Sequence, residues 1–383
     1  MGSTMMFGPR RVEKSLPQKL RELNWFIVLA LAAIAGIGCA MLYSVAGGSV
    51  DPWASRQAVR FGIALLMMIA IALVDLRTWL SLAYPAYLAG LALLGAVEVI
   101  GVTGMGGQRW LDLGVMRLQP SELMKIAVVM ALARYYHGLT LYQTRAIKSL
   151  FVPMILIVLP VILVVRQPDL GTALMVVAGG IAMIFLAGAR MWLFGGGLIA
   201  AIAAIPIAWR FLRDYQRERV LTFLNPDRDP LGAGYQIIQS KIALGSGGLT
   251  GKGFLQGTQS HLNFLPEMKT DFIFTVLAEE FGVLGALALL MLFFVVIGYG
   301  LWVGFTCRNH FGRLLSTGLS ITIFLYVFIN IAMVMGLLPV VGVPLPLVSY
   351  GGSAMLTAMI AFGLILSVAL NRRVAMPRAG GLA

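Results

Sequence analysis

The sequence predicts an all-α, polytopic membrane protein with about ten transmembrane helices and a large extracytoplasmic loop between helices 7 and 8. Of its 383 residues, 59% are hydrophobic and only 12% are charged, more apolar surface than a water-soluble fold of this length can bury. Apolar runs also recur at the length of about 20 residues that a helix needs to cross a bilayer. These runs are 24–45, 57–75, 80–102, 120–136, 149–166, 171–188, 191–210, 280–304, 314–336 and 353–370.

The basic residues orient these spans. Fifteen Lys and Arg residues fall at the termini and connections of one face, against five in the short connections of the other. Because short cytoplasmic loops carry the excess of Lys and Arg, this predicts cytoplasmic N- and C-termini and an even number of spans. The chain then divides into a cytoplasmic N-terminal segment 1–23, a membrane domain 24–370 and a cytoplasmic C-terminal tail 371–383.

Composition disfavours several other functions. The net charge of +13 is explained by membrane topology, so we expect no nucleic-acid partner. Two cysteines cannot make a disulfide framework, and three scattered histidines lack the spacing of metal ligands. The glycine-rich stretch 247–253 (GGLTGKG) resembles a phosphate-binding loop, but Ser246 occupies the place of its first glycine and a glycine follows the lysine. We therefore expect neither a nucleotide loop nor a zinc site.

One connection is much longer than the others. Residues 211–270 join the seventh and eighth spans on the predicted outer face, and long connections of this kind are often functional. The stretch 235–244 within it is amphipathic, so we expect it either to pack on the helices or to lie in the membrane interface.

The carboxylates are concentrated on the predicted outer face, where twelve of the sixteen Asp and Glu residues lie. Acidic residues contribute little to topology, so this asymmetry needs another cause. Asp271 opens an apolar helix, where it is either a first-turn residue favoured by the helix dipole or a general base at the mouth of the bundle. Glu98 is the exception, because it falls inside the third predicted span.

Four further acidic residues lie at predicted helix ends. Glu122 and Lys125 are three residues apart at a helix start marked by Pro120, so they can pair, either as a structural ion pair or as part of a functional site. Asp169 precedes a helix and is predicted to be its N-cap. The pair 279–280, which is followed by Phe281 and Gly282, indicates a kink or break in the eighth span.

Taken together, these motifs resemble the shape, elongation, division and sporulation family of peptidoglycan polymerases, over about residues 24–370. The stretches 257–260 (GTQS) and 338–342 (LPVVG) are more similar to its elongation enzymes than to its division enzymes. The motifs that carry the resemblance are 107–112 (GQRWLD), 119–125 (QPSELMK), 167–172 (QPDLGT), 229–236 (DPLGAGYQ), 264–267 (FLPE), 270–274 (TDFIF) and 344–353 (PLPLVSYGGS).

The resemblance implies a glycosyltransferase that polymerises lipid II into β-1,4-linked glycan at the outer face of the bacterial cytoplasmic (inner) membrane, during cell elongation and rod-shape maintenance. It also implies a class B penicillin-binding protein, a transpeptidase, as partner. In such enzymes the aspartate matching Asp271 is essential, and the positions matching Trp110, Glu122 and Lys125 are sensitive. A lipid II flippase is the alternative, disfavoured because the span centres are nearly bare of charge.

We expect Asp271 to be the catalytic base of this enzyme, with Glu122, Lys125 and Trp110 supporting it. A divalent cation, Mg²⁺ or Mn²⁺, could share the donor pyrophosphate, although no ligand cluster in the sequence demands a metal. Arg109, Asp169 and Ser349 lie in the resembling motifs and complete the set of supporting or substrate-binding residues. Contacts to the pyrophosphate are expected from Arg109, Lys125, Arg213, Arg217, Arg219, Lys241 and Lys269.

Overall fold

Helices account for most of the chain in the computed structural model, which describes residues 15–104, 107–112, 114, 117–211, 214–228, 232–258, 267–374 and 376. Arg213, the motif start at 229–231 and the motif residues 264–266 lie outside these described residues. The helices are α1 Leu16–Glu22, α2 Trp25–Val45, α3 Trp53–Leu73, α4 Leu76–Ile100, α5 Pro120–His137, α6 Leu141–Thr144, α7 Phe151–Arg166, α8 Leu170–Leu186, α9 Met191–Phe211, α10 Asp214–Leu224, α11 Ala233–Ser246, α12 Ile273–Thr306, α13 His310–Val334 and α14 Gly352–Leu370.

Every predicted span coincides with one of these helices, and the predicted fold class is confirmed. Among the described residues, seven helices are long and apolar enough to cross a membrane, namely α2, α3, α4, α12, α13, α14 and the stretch Ile147–Arg166 that contains α7. Two shorter apolar helices are α8 and the stretch Met191–Ile207 of α9. The remaining predicted span is α5, which carries charged side chains but is almost entirely buried among the other helices.

The core lies around α5, α13 and α14. In the most apolar stretches of α13 and α14, 72% of the residues are buried, whereas in those of α3 and α12 only 22% are buried. The charged side chains of α5 therefore face protein, which is where polar groups in membrane helices are stable. The outward faces of α3 and α12 carry large exposed apolar side chains, as a lipid-facing surface requires.

A small antiparallel sheet, absent from the all-α expectation, lies between α4 and α5. Its strands are β1 Val102–Gly104, β2 Gly107–Asp112 and β3 Arg117–Leu118, with β2 in the middle. Only Gly101 separates the end of α4 from the sheet, and only Gln119 separates the end of β3 from α5. It therefore holds the motif 107–112 at one end of the bundle.

The described part of the long connection 211–270 includes the two α-helices α10 and α11. The buried side of α11 includes Ile237, Ser240 and Ala243, and it packs against α12 and α13. The Ser240 hydroxyl lies 3.0 Å from the Thr275 hydroxyl and donates to a carbonyl at the end of α13 at 2.8 Å. Of the two expectations for this amphipathic stretch, packing on the bundle is therefore the correct one.

The break predicted in the eighth span is confirmed. α12 is interrupted at Gly282, whose φ of 64° and ψ of −162° leave the helical region. The glycine-rich segment 247–253 fills this break, since the N–H groups of Lys252 and Gly253 donate to the carbonyls of Glu279 and Glu280, both at 3.0 Å. The backbone groups of the segment that resembled a phosphate loop are thus used to complete a broken helix.

The two ends of the bundle differ in composition and contacts. At one end, Lys19 donates to the carbonyl of Leu73 at 2.8 Å, and the N–H of Arg308 donates to the carbonyl of Arg372 at 3.0 Å. The Ser367 hydroxyl, near the end of α14, donates to the carbonyl of Val74 beside Leu73 at 2.8 Å, so the described parts of the N- and C-terminal segments lie at the same end, as an even number of spans requires. We call the opposite end, which carries the turn 267–272 and the segment 338–351, the polar end.

Candidate active site at the polar end of the helix bundle

Asp271 lies in a tight turn immediately before α12. The Thr270 N–H donates to the Glu267 carbonyl at 3.1 Å, and the Thr270 hydroxyl lies 3.0 Å from a Glu267 carboxylate oxygen. Glu267 itself adopts a positive φ of 59°, which is uncommon outside glycine and occurs at tightly constrained positions. The turn ends at Phe272, so Asp271 stands outside the helix rather than in its first turn.

The backbone of this turn is held by the segment 338–351. The Tyr350 N–H donates to the Lys269 carbonyl at 2.8 Å. The Ser349 hydroxyl donates to the Thr270 carbonyl at 2.5 Å and accepts from the N–H of Leu345 at 2.8 Å. Ser349, predicted as a supporting or substrate-binding residue, therefore contacts the backbone of the Asp271 turn.

The carbonyl of Asp271 is held from α13. The side-chain amide of Asn330 donates to it at 2.9 Å and to the carbonyl of Val343 at 2.8 Å. The Asn330 side chain is fully buried, and its hydrogen bond to Val343 is shielded from water. Three consecutive carbonyls, those of residues 269–271, are thus each fixed by a different donor, and Asp271 has a defined backbone position.

The surroundings of Asp271 change its acidity. The pKa of its carboxyl group is raised from the ordinary value to about 6, first by burial and second by the nearby Glu267 carboxylate, while Arg219 of α10 acts in the opposite direction. A carboxyl group with a pKa near 6 is mostly ionised at neutral pH and is a stronger base than an ordinary aspartate. This is the property expected of a general base.

The predicted pair of Glu122 and Lys125 is confirmed at the start of α5. The Lys125 ammonium donates to one Glu122 oxygen at 2.7 Å, and the Lys125 and Glu122 side chains are only 2% and 5% exposed. The Tyr326 hydroxyl donates to the other Glu122 oxygen, and the ammonium lies 4.2 Å from the centre of the Tyr326 ring. Each charge therefore has a close partner, as burial of an ion pair requires.

A small apolar cluster connects this pair to Asp271. It consists of Met175, Tyr326, Ile329 and Val343. The Met175 sulfur lies 3.9 Å from the Lys125 ammonium, while the carbonyl of Val343 shares the Asn330 amide with Asp271. Since Tyr326 and Asn330 are four residues apart on α13, they lie on the same side of that helix. The ion pair and the Asp271 turn are thus held by one face of α13.

Asp169 is the N-cap of α8, as predicted. One carboxylate oxygen accepts from the Thr172 N–H at 3.2 Å, and the other accepts from the Gln119 side chain at 3.0 Å. The N–H of Gln119 donates to the Ser353 hydroxyl at 3.1 Å. Asp169 therefore links the starts of α8, α5 and α14, and its carboxylate lies close enough to Tyr326 to interact electrostatically.

Arg109 and Trp110 lie on β2, and their contacts differ. The Arg109 guanidinium donates to the Gln167 carbonyl at 3.0 Å and to the carbonyl of Pro168. It therefore braces the turn that carries Asp169. Trp110 is half-buried and opposes Val102 in the sheet. The structure brings Arg109 to the Asp169 turn, whereas Trp110 has no described contact with the Asp271 turn.

The basic residues expected to bind pyrophosphate differ in their contacts, which show which of them are already engaged with protein groups. Arg217 donates to the last carbonyls of α9, at 3.2 Å from Trp209 and 3.0 Å from Arg210, so its role is local. Arg219 interacts with Asp271. The Lys269 ammonium lies 5.1 Å from the centre of the Trp53 ring, and the exposed Lys241 side chain lies over Gly336.

Sequence reasoning missed four residues of this arrangement. Arg60 of α3 is one of the five basic residues that the sequence assigns to the outer face for topology alone, yet its guanidinium lies 4.9 Å from the ring of Tyr350. Gln57, one turn before it, is fully buried and donates to the carbonyl of Ser349 at 3.0 Å. Asn330 and Tyr326 are the other two. A signal existed for Asn330, because a polar amide within an apolar span is functional by default.

Glu98, the exception among the carboxylates, belongs to the last turn of α4 rather than to the middle of a span. It lines a cleft of about 180 Å³ together with Gln108, Arg166, Gln167 and Pro168. Its charge is therefore at the polar end, with the other carboxylates. Within the described residues, no group of three His, Cys, Asp or Glu side chains is close enough to hold a metal ion.

This fold and site define a polytopic membrane protein whose polar chemistry lies at one end of the bundle. The chain belongs to the FtsW, RodA and SpoVE family, described as cell cycle proteins, which it matches over residues 22–374. The family resemblance carried by the motifs is thereby confirmed.

Individual relatives cover nearly the whole chain. Peptidoglycan glycosyltransferase MrdB of Escherichia coli strain K12 is 45% identical over 354 residues, which are 92% of this chain and 95% of the relative. A probable peptidoglycan glycosyltransferase FtsW of Idiomarina loihiensis is 35% identical, covering 93% and 92%. The higher identity to MrdB agrees with the elongation-type motifs.

Two solved structures share the fold. A chain from a study named "Structural coordination of polymerization and crosslinking by a peptidoglycan synthase complex" superimposes with a TM-score of 0.81 at 35% identity, covering 92% of this chain and 99% of that one. The rod shape determining protein RodA of Thermus thermophilus gives a TM-score of 0.68 at 29% identity, covering 91% and 97%. Both the membrane fold and its connectivity are therefore those of this family.

Proposed function

We infer that this chain is a peptidoglycan glycosyltransferase that polymerises lipid II into β-1,4-linked glycan strands. The observation that carries the inference is Asp271, a partly buried carboxylate with a pKa raised to about 6, whose backbone is fixed at the polar end of a membrane helix bundle. The relatives named peptidoglycan glycosyltransferase support the same assignment. Lipid II is an amphiphile, and a site at the end of a membrane bundle suits a substrate whose lipid stays in the bilayer.

In the proposed reaction, the 4-hydroxyl of an acceptor GlcNAc attacks the anomeric carbon of the donor sugar. Asp271 takes the hydroxyl proton as the new C–O bond forms. The bond between the anomeric carbon and the lipid pyrophosphate breaks, and the pyrophosphate leaves with the electron pair. A single displacement inverts the anomeric centre, so an α-linked donor gives a β-1,4-linked product.

The leaving pyrophosphate needs positive charge, because negative charge develops on it as the bond breaks. We assign this role first to Arg219, which already interacts with Asp271, and to Lys269, which is two residues from it in the same turn. Arg60 and Lys241 are further cations at the polar end. Arg109, Lys125 and Arg217 are engaged with protein partners, so we assign them to holding the site together.

A divalent cation, Mg²⁺ or Mn²⁺, could assist at the pyrophosphate. Mg²⁺ in phosphate sites is bound by one or two carboxylates together with phosphate oxygens and water. Glu267 lies in the same turn as Asp271, and this one carboxylate together with phosphate oxygens would be enough to hold such an ion, which leaves the Asp271 carboxylate free to act as the base. A bound cation would neutralise charge on the leaving pyrophosphate, while Asp271 and Arg219 keep the roles given above.

We place the protein in the bacterial cytoplasmic (inner) membrane with both termini cytoplasmic. The excess of Lys and Arg at the end opposite the polar end supports this orientation. The polar end then faces outward, where it would meet lipid II and the lipid-linked glycan. A class B penicillin-binding protein, which crosslinks the product, is the proposed partner in the membrane.

A polymerisation assay in detergent tests the function. Purified wild-type protein is incubated with labelled lipid II, with and without the transpeptidase, and the products are separated by gel electrophoresis. Glycan strands that a β-1,4-specific muramidase digests are expected, and they should be absent with Asp271→Ala. A lipid II flippase has no activity to report without a bilayer, so the absence of polymer in every arm would favour that alternative.

A further inference from the structure

Asn330 occupies an unusual position for a polar residue in a membrane helix. It lies in the last two turns of α13, surrounded by the apolar stretch 321–334, and it is fully buried. A buried amide in an apolar helix is unfavourable unless its hydrogen bonds are made. Polar residues inside membrane helices are therefore retained mainly where their hydrogen bonds serve a function.

The function of Asn330 is indicated by the two carbonyls to which its side-chain N–H groups donate. They donate at 2.9 Å to the carbonyl of Asp271, just before α12, and at 2.8 Å to the carbonyl of Val343, in the segment 338–351. The two acceptors are 72 positions apart in the chain and belong to the two segments that meet at the candidate site. The amide oxygen has no hydrogen-bond partner in the described part of the chain, so the position uses the donors of Asn330.

These two hydrogen bonds also fix the distance between the carbonyls of Asp271 and Val343. A single planar amide group that serves both carbonyls keeps them in one geometry, so the backbone from which the Asp271 carboxylate projects is held relative to the segment that faces it. Gly342, the neighbour of Val343, lies directly opposite that carboxylate, since a β-carbon added there would be 3.5 Å from its Oδ2 atom. The surface facing the proposed base is therefore part of the structure that Asn330 clamps.

We propose that Asn330 is a positioning residue for glycosyl transfer, which holds Asp271 and the 338–351 segment at the spacing that the reaction needs. The proposal rests on the proposed function and extends it to a residue that does not touch the reacting atoms. Misplacement of a catalytic group by about 1 Å can lower a rate on the order of 10²-fold, so the loss of this clamp should appear in kcat.

The test compares two substitutions at this position with a matched control. Asn330→Leu has a similar volume and no donor, and Asn330→Asp has the same shape and, when neutral, one donor. The control is Thr322→Val on the same helix, which removes a buried hydroxyl that bonds only within α13, to the Gly318 carbonyl at 2.9 Å. Each variant is purified, its thermal stability is measured, and kcat and KM for lipid II polymerisation are determined.

Asn330→Leu is expected to lower kcat by about 10- to 100-fold with KM for lipid II changed less than about threefold. Asn330→Asp should fall between it and the wild type, and Thr322→Val should stay within about threefold of the wild type. A kcat within threefold of the wild type for the folded Asn330→Leu variant, or a rise in KM alone, would overturn the proposal. If that variant does not fold, Asn330→Asp decides: a lowered kcat with KM nearly unchanged supports the proposal, and a kcat equal to that of the wild type overturns it.

A second readout does not depend on activity. Amide hydrogen exchange in the peptide covering 267–272 should accelerate in Asn330→Leu and stay unchanged in Thr322→Val, because only the first variant frees the turn. Unchanged exchange would contradict the clamp. Failure of the proposed function is distinguishable, because it would appear as an inactive wild type, whereas failure of this proposal would leave an active wild type and an equally active variant.

Discussion

The buried ion pair between Glu122 and Lys125 makes a quantitative prediction about stability. Lys125→Met removes the ammonium and leaves the Glu122 carboxylate buried, with the Tyr326 hydroxyl as its remaining described partner. Because the two side chains are 2% and 5% exposed, water cannot replace the lost partner. Breaking a buried pair in this way destabilises proteins by about 3–5 kcal/mol, and we expect a loss of that size.

Removing both charges should be less harmful than removing one. In the double variant Glu122→Gln with Lys125→Met, no charge is left without a partner, and the new amide still accepts from Tyr326. Replacement of a whole buried pair is often close to neutral, so we expect the double variant to be within about 2 kcal/mol of the wild type. A control is Arg117→Met, which breaks a half-exposed contact of 3.8 Å to Asp112 and should cost about 1 kcal/mol or less.

The measurement is the free energy of unfolding in mild detergent, obtained by titration with a denaturing detergent. The seven tryptophans provide the fluorescence signal. The single variant Glu122→Gln is measured as well. If Lys125→Met loses less than 1 kcal/mol, or if the double variant loses as much as the sum of Lys125→Met and Glu122→Gln, then the pair is not the coupled, desolvated unit described above.

Three further outcomes are expected. The acid limb of the polymerisation rate should lie near pH 6, with activity lost as the pH falls through that value, because protonated Asp271 cannot accept the acceptor proton; a limb below pH 4.5 would contradict the raised pKa. Gly282→Ala should destabilise the protein by about 1–3 kcal/mol in the same unfolding titration, since Gly282 has a φ of 64° and an added β-carbon would lie 2.5 Å from the 247–253 segment. Gly298→Ala, on the same helix with open space around it, should leave the stability unchanged. Gly171→Ala should lower thermal stability and polymerisation together, because its β-carbon would lie 2.6 Å from a carbonyl of the 338–351 segment, while Gly195→Ala on α9 should change neither.

The helices could be predicted because the bilayer imposes a local requirement. Each span needs a continuous apolar run, and that run is visible in the sequence whatever its neighbours are. Local capping chemistry was equally visible, as at Asp169, and so was the pairing of Glu122 with Lys125 one turn apart. The same logic indicated a break near Gly282, where a glycine follows two charges inside a span.

The contacts between distant segments could not be predicted in this way. Asn330 and Asp271 are 59 positions apart, and only the packing of α13 against α12 brings them together. The use of the 247–253 segment to complete a broken helix also depends on tertiary structure, because its sequence alone resembles an anion-binding loop. The contact between Arg60 and Tyr350 could not be predicted either, because the two residues are far apart in the sequence. Assignment of the chemistry itself came from the family motifs rather than from composition or spacing.

The most direct test of the catalytic assignment is the rate of lipid II polymerisation by purified Asp271→Asn, compared with Asp227→Asn at an exposed position of the same long connection. The first substitution keeps the shape of the side chain and removes the base, so the rate should fall by about 10²–10⁴-fold while the protein remains folded. The second should leave the rate unchanged. Polymerisation at the wild-type rate by folded Asp271→Asn would contradict the assignment of this carboxylate as the general base.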